Sequence, residues 1–130
     1  MQTRHNEASA VTEAVIGCAI RVHRALGPGL LESAYEACLA HEMSASGLLY
    51  ERQRPLPVVY KDVRLDCGYR LDFVVADIVV VEIKAIERFA AVHDAQLLTY
   101  LRLSGLPVGL LLNFNVEVLR DGIRRRVQGL

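Results

Sequence analysis

The chain of 130 residues is 52% hydrophobic and 23% charged, the profile of one globular domain rather than of a disordered segment. Fifteen basic and fifteen acidic residues cancel, so net charge argues for no polyanionic partner and any such surface has to be local. No apolar run approaches the roughly 18 residues a membrane span needs, and the opening "MQTRHNEASA" lacks the basic-then-apolar form of a signal peptide. Cys18, Cys38 and Cys67 are odd in number and too widely spaced for a disulfide framework. A cytoplasmic, reducing setting is expected, with the cysteines as small buried residues.

From Ala8 to Leu26, Val11, Val15, Cys18, Val22 and Leu26 recur in steps of four and three, one face of a helix. "GPG" at 27–29 ends it. A second helix is expected from Leu30 to Ser46, closed by Gly47, and so short a connection makes the two a hairpin. "QRPLPVVY" carries Pro55 and Pro57 and reads as an edge strand or strand entry, followed by a turn at Lys61-Asp62. "YRLDFVV" (69–75) and "IVVVEIKA" (78–85) are strands parted by Ala76-Asp77. Residues 87–105 read as a helix ended by Gly105 and Pro107, and "VGLLLNF" (108–114) as a fully apolar, central strand. "VEVLRDGIRRRVQ" reads as a hairpin around Asp121-Gly122. The order α-α-β-β-β-α-β-β predicts a single α/β (α+β) domain over 1–130, a mixed sheet flanked by helices.

Chemistry concentrates where charge interrupts the apolar run "VVVEIKA". Side chains alternate along a strand, so Glu82 and Lys84 share a face. Asp72 joins them only if the hairpin pairs residues whose numbers sum to an even value. A two-residue turn at Ala76-Asp77 gives an odd sum, so the reading demands a three-residue loop or a bulge. In that register two carboxylates and one ammonium converge. Close carboxylates repel unless one is protonated or a cation lies between them, and a hard divalent ion resolves the conflict. The lysine is then placed to orient or help deprotonate an attacking water and to stabilise charge on a phosphoryl group. The competing reading is a solvated Glu82–Lys84 pair, with Asp72 satisfied by Arg70.

"GLLESAY" (29–35) fits the pattern G-x-x-E-x-x-Y through Gly29, Glu32 and Tyr35. Together with "RLDFVV", "VVEIKA", "AQLLTYL" and "GLPVGLLLNF", in order over nearly the whole chain, it resembles the GxxExxY proteins, placed in the PD-(D/E)xK nuclease superfamily. Leu71, rather than proline, precedes Asp72. The resemblance implies a nuclease-like core and a divalent-metal site. Asp72, Glu82 and the Ile83 carbonyl would be ligands, Lys84 the catalytic lysine, and Glu32 and Gln96 contributors from flanking helices. The function implied is hydrolysis of phosphodiester bonds in nucleic acid, DNA before RNA, with Mg²⁺ as cofactor or Mn²⁺ in its place. The alternative is a nuclease-like fold serving as a non-catalytic nucleic-acid or protein binding module.

The other candidates have plainer readings beside these. A carboxylate at Glu32 also suits a helix N-terminus. Tyr35 is expected to pack, with its hydroxyl satisfied. Gln96 shares a helical stripe with His93 and Tyr100, and hard oxygen ligands leave His93 little part in binding a metal. Arg124 and Arg126 share one strand face and form a candidate phosphate-binding patch, or else protect a sheet edge. An edge strand near Pro55 and the basic hairpin would also allow a homodimer.

Overall fold

A computed structural model describes residues 2–129. Two helices, α1 (Gln2–Leu26) and α2 (Glu32–Ala45), form the expected hairpin. Strand β1 (Tyr50–Pro55) leads to a small ribbon of β2 (Val58–Tyr60) and β3 (Val63–Leu65). Next come β4 (Arg70–Val75), β5 (Val79–Lys84), α3 (Ala91–Ser104) and β6 (Val108–Asn113). A 3₁₀ turn over Leu119–Gly122 runs into β7 (Ile123–Val127). The main sheet has the order β1-β4-β5-β6-β7; α3 is the crossover that makes β5 and β6 parallel, and every other neighbouring pair is antiparallel. This is a mixed sheet with helices on both faces.

Each face has its own core. Val15, Cys18 and Val22 of α1 and Tyr35, Leu39 and Met43 of α2 pack with Phe73, Val79, Val81 and Leu110. On the other face Leu97, Tyr100 and Leu101 of α3 pack with Val74, Val80 and Leu111. The alternation of "VVVEIKA" is therefore real: odd residues of β5 face the helical hairpin and even residues face α3.

Tyr35 closes the turn that "GPG" opens. Its hydroxyl donates to the Gly27 carbonyl (2.6 Å) and accepts from the Leu30 N–H (3.1 Å), while its ring stacks on Phe114 at 4.6 Å. Gly29 sits at φ 103°, a conformation that penalises any side chain, so glycine is required there by backbone and not by crowding.

Several sequence expectations need correction. The first helix begins by Gln2 rather than Ala8, and the third at Ala91 rather than 87. "QRPLPVVY" is not one strand: Pro55 ends β1, and residues 58–60 start the separate ribbon, whose β3 the sequence reading lacked. The apolar strand β6 is interior, but β5 is the centre. The last segment is not a hairpin, because β7 pairs with β6 instead of with residues 116–118. Gly122 is accordingly not the glycine of a hairpin. A Cβ on it would collide with the Asn113 carbonyl oxygen, so the 3₁₀ turn lies flat against the end of β6 only because Gly122 has none. Of the cysteines only Cys18 is buried; Cys38 is half-buried and Cys67 exposed.

Gly109 offers a useful contrast with Gly122, since a Cβ there would meet only the Leu97 side chain, 2.7 Å away. Gly109→Ala is expected to cost about 1–3 kcal/mol, the usual range for overpacking. Gly122→Ala should cost more, because main chain does not yield as a leucine rotamer does. Denaturant melts of the two variants rank them, and a Gly122→Ala protein as stable as wild type would contradict the packing described for this turn.

Candidate metal centre

The hairpin β4–β5 has the even-sum register. Val75 pairs with Val79, Val74 with Val80 and Phe73 with Val81, around a three-residue loop in which Ala76 (φ 54°) and Asp77 (φ 56°) are left-handed. Asp72 is next in line with Glu82, and there the ladder stops. The ladder to β1 also skips this position: Arg52 pairs with Phe73 and Arg54 with Leu71, but Gln53 and Asp72 are not paired. Side-chain parity slips at the same point, since Leu71 joins Val74 in the core under α3 although Phe73 lies between them in the other.

The main-chain donors left by this break go to carboxylates. The Asp72 N–H donates to Glu82 Oε2 (2.8 Å), and the Ile83 N–H donates to Asp72 Oδ2 (2.8 Å). The acids thus meet by turning into the gap between the strands rather than by standing on a flat face. The Lys84 carbonyl accepts from the Phe114 N–H, so Lys84 points its main chain at β6. Strand alternation then turns the Ile83 carbonyl to the gap, the side to which its N–H already points.

A second row of polar groups stands behind Asp72. Gln53 Nε2 donates to Glu36 Oε1 (2.6 Å) and to Asp72 Oδ1 (3.4 Å), while Arg52 Nε meets Glu36 Oε2 at 2.8 Å. Gln53 makes this bridge from a left-handed backbone, φ 57°. Such a conformation is costly for glutamine, and strain of this kind persists only where its surroundings enforce it. Glu32 begins α2, is exposed, and lies one turn before Glu36, so both acids are carried toward the gap by one helix face.

Electrostatics follow from burial. Glu82 is only 5% exposed. Desolvation, then the charge of Asp72, pushes its carboxyl from the ordinary 4.5 up to about 8; the Asp72 N–H and Lys84 oppose this, and Glu32 adds to it. Asp72 is also raised, first by burial and then by Glu36, against the pull of the Ile83 N–H, Lys84 and Gln53. The plain ion-pair reading fails on geometry. Among the described residues Lys84 makes no ion pair with Glu82, and the Arg70 guanidinium turns to the Tyr69 carbonyl (3.1 Å) instead of to Asp72.

Among the described residues no three His, Cys, Asp or Glu side chains stand close enough together to hold a metal ion. The donors in the gap are two carboxylates and one main-chain carbonyl. That set fits a hard divalent ion that keeps several waters, and it does not fit a soft or fully protein-caged metal.

The remaining candidates separate. Gln96 is half-buried on α3, one turn before Tyr100. Burial pushes the Tyr100 hydroxyl up, and the charges of Glu82, Tyr69 and Asp72 add to the shift, so this face of α3 borders the gap. His93 is occupied structurally: its Nδ1 accepts from the Ala90 N–H (2.8 Å) at the start of α3. Arg124 and Arg126 share a face, as alternation required, but both reach Asp94 of α3, at 3.1 and 2.8 Å, and Arg124 lies over the Phe89 ring. Gln53, Glu36 and Asp94 escaped the sequence reading because each acts through a partner distant in the chain. Buried Asn113 escaped it too; it ties the exit of β5 to β6 through the Ile86 N–H and carbonyl (3.0 and 2.9 Å).

A sequence-family model of the PD-(D/E)XK nuclease superfamily matches residues 9–126. The chain belongs to this superfamily, whose nucleases act on nucleic acid and generally use divalent metals. No curated protein and no solved structure matches it. No helix among the described residues is long and apolar enough to cross a membrane.

Two outcomes are expected. The Glu82 carboxyl has a folded pKa above its unfolded one, so its contribution to stability is intact below about 4.5 and is lost as pH rises to about 8. Metal-free protein should therefore melt lower at pH 8 than at pH 5.5, and Glu82→Gln should flatten that slope; an unchanged slope would mean that Glu82 ionises normally. At Gln53, glycine relieves the left-handed strain that alanine keeps. Gln53→Gly should exceed Gln53→Ala in stability by about 1 kcal/mol, while both lose the amide bridge and show a smaller Mn²⁺-induced rise in Tm than wild type. A full Mn²⁺ shift in both would deny Gln53 any role in holding Asp72.

Proposed function

We propose that the protein is a Mg²⁺-dependent phosphodiesterase acting on nucleic acid, DNA by preference, with Mn²⁺ able to replace Mg²⁺. The observation that carries this reading is the break in the β4–β5 ladder. It turns two carboxylates into one gap, where burial and then the charge of Asp72 push the Glu82 carboxyl up to about 8. Carboxylates buried together and shifted by desolvation plus a neighbouring charge are a mark of functional sites.

Asp72, Glu82 and the Ile83 carbonyl would hold the ion. When bound, it supplies charge to offset the two acids and polarises a phosphoryl oxygen. Lys84, half-buried and free of any ion pair among the described residues, is directed by β5 to the same edge of the site as Glu82. Its ammonium orients the attacking water and stabilises negative charge developing on the phosphate. Glu32 and Gln96 assist from the two helical flanks, Glu32 as an acceptor for ordered water and Gln96 as an amide for water or a phosphate oxygen. Arg124 and Arg126 share one aspartate and so retain one net positive charge beside α3, a secondary contact for a phosphate. The motif of Gly29, Glu32 and Tyr35 supports reading the chain as one of the GxxExxY proteins.

Purified protein with Mg²⁺ or Mn²⁺ should cleave single- or double-stranded DNA, or RNA, and chelator should stop it. Lys84→Ala should fold normally and lower cleavage by at least about a hundredfold, the usual effect of losing one electrostatic stabiliser. Metal-independent cleavage, or equal rates in wild type and Lys84→Ala, would overturn the proposal; tight binding without any cleavage would favour a binding module.

A further inference from the structure

A cavity of about 370 Å³ opens between α3 and the start of the small ribbon. Val58, Tyr69 and Val92 contribute its apolar and aromatic wall, while Gln96, Thr99 and Tyr100 bring polar groups to it. It lies against the strands that carry the two carboxylates, because Tyr100, which lines it, packs in one core with Leu71 of β4 and Val80 of β5. Its size and its few polar groups on an apolar wall suit one small planar ligand. Tyr69 is 46% exposed, and its ring stands 6.2 Å from that of Tyr100 at 60°, leaving an aromatic face open. Arg70, exposed, folds its guanidinium onto the Tyr69 carbonyl, so a cation sits on the main chain of that residue.

Resting on the phosphodiesterase reading above, we infer that this cavity takes one unpaired nucleobase next to the scissile phosphate, stacked on Tyr69 and met at its edge by Gln96 and Thr99. The substrate is then a single strand, or a duplex end or flap with an unpaired nucleotide. A base inside a duplex cannot reach a cavity without being unstacked, which costs energy. Aromatic stacking accepts every base, so the cavity selects for an unpaired base and not for a sequence. The half-buried amide of Gln96 and hydroxyl of Thr99 have both donor and acceptor capacity, which fits the mixed edges of bases.

The test measures binding in Mg²⁺ in the Lys84→Ala background, which keeps strands intact. The probes are a short labelled single strand, the same strand with abasic sugars in place of nucleosides, and its duplex. The base-bearing strand should bind about tenfold or more tighter than either of the others. Tyr69→Ala should erase that preference. So should Ala95→Leu, which fills the cavity from an exposed helix position and guards against a folding defect at Tyr69. Equal binding of base-bearing and abasic strands, or a preference intact in both variants, would overturn the inference while leaving the nuclease reading in place. Absence of binding by every probe, with no cleavage of any nucleic acid by the wild-type protein, would overturn both.

Discussion

The structure turns on two hydrogen bonds that a sheet would ordinarily make between main chains. At Asp72 the central hairpin stops pairing, and carboxylates accept the N–H groups of Asp72 and Ile83 in place of carbonyls. Those two bonds satisfy donors that would otherwise be buried without a partner, and they fix both acids in one gap. They also oppose the repulsion that burial intensifies, since each N–H favours the charged form of the carboxylate it meets. Desolvation still wins at Glu82. The sheet therefore contains a place where hydrogen bonds favour carboxylate charge and burial opposes it.

The other elements make that place durable. Two cores, one on each face, clamp β5 between α3 and the helical hairpin. Tyr35 closes the hairpin turn and stacks on Phe114 just beyond β6, so the start of α2, with Glu32, is held near the edge of the sheet where Lys84 emerges. Glu36 and Gln53 reach Asp72 from behind, through α2 and β1. On the far side Asp94 gathers Arg124 and Arg126, fastening β7 to α3. Tyr50 joins β1 to α2 through Ser44 and the Ala40 carbonyl (2.7 and 3.0 Å), which keeps the strained Gln53 within reach of Glu36.

Parity made the register of the hairpin a condition: for Asp72 and Glu82 to oppose each other, the loop after Val75 had to hold three residues and not the two that Ala76-Asp77 suggested, and it does. The period of α1, the turn at Gly27 to Gly29 and the crossover helix were legible as local patterns, because helix periodicity and glycine conformation are written within a few residues. Asp121-Gly122 misled for the same reason. Its composition is that of a tight turn, but its glycine answers to the Asn113 carbonyl, nine residues away and on another element.

Which residues carry charge, which strand they interrupt, and that burying them demands a partner can all be read from the order of residues. So can the superfamily pattern, since that lies in the order of short motifs. It took the folded arrangement to show that neither Lys84 nor Arg70 forms an ion pair with those acids, that Gln53 bridges Glu36 to Asp72, and that Arg124 and Arg126 belong to Asp94. The reason is that a charged side chain's state depends on how much water it has lost and on which opposite charge lies within a few ångströms. Both are set by elements that meet from distant parts of the chain.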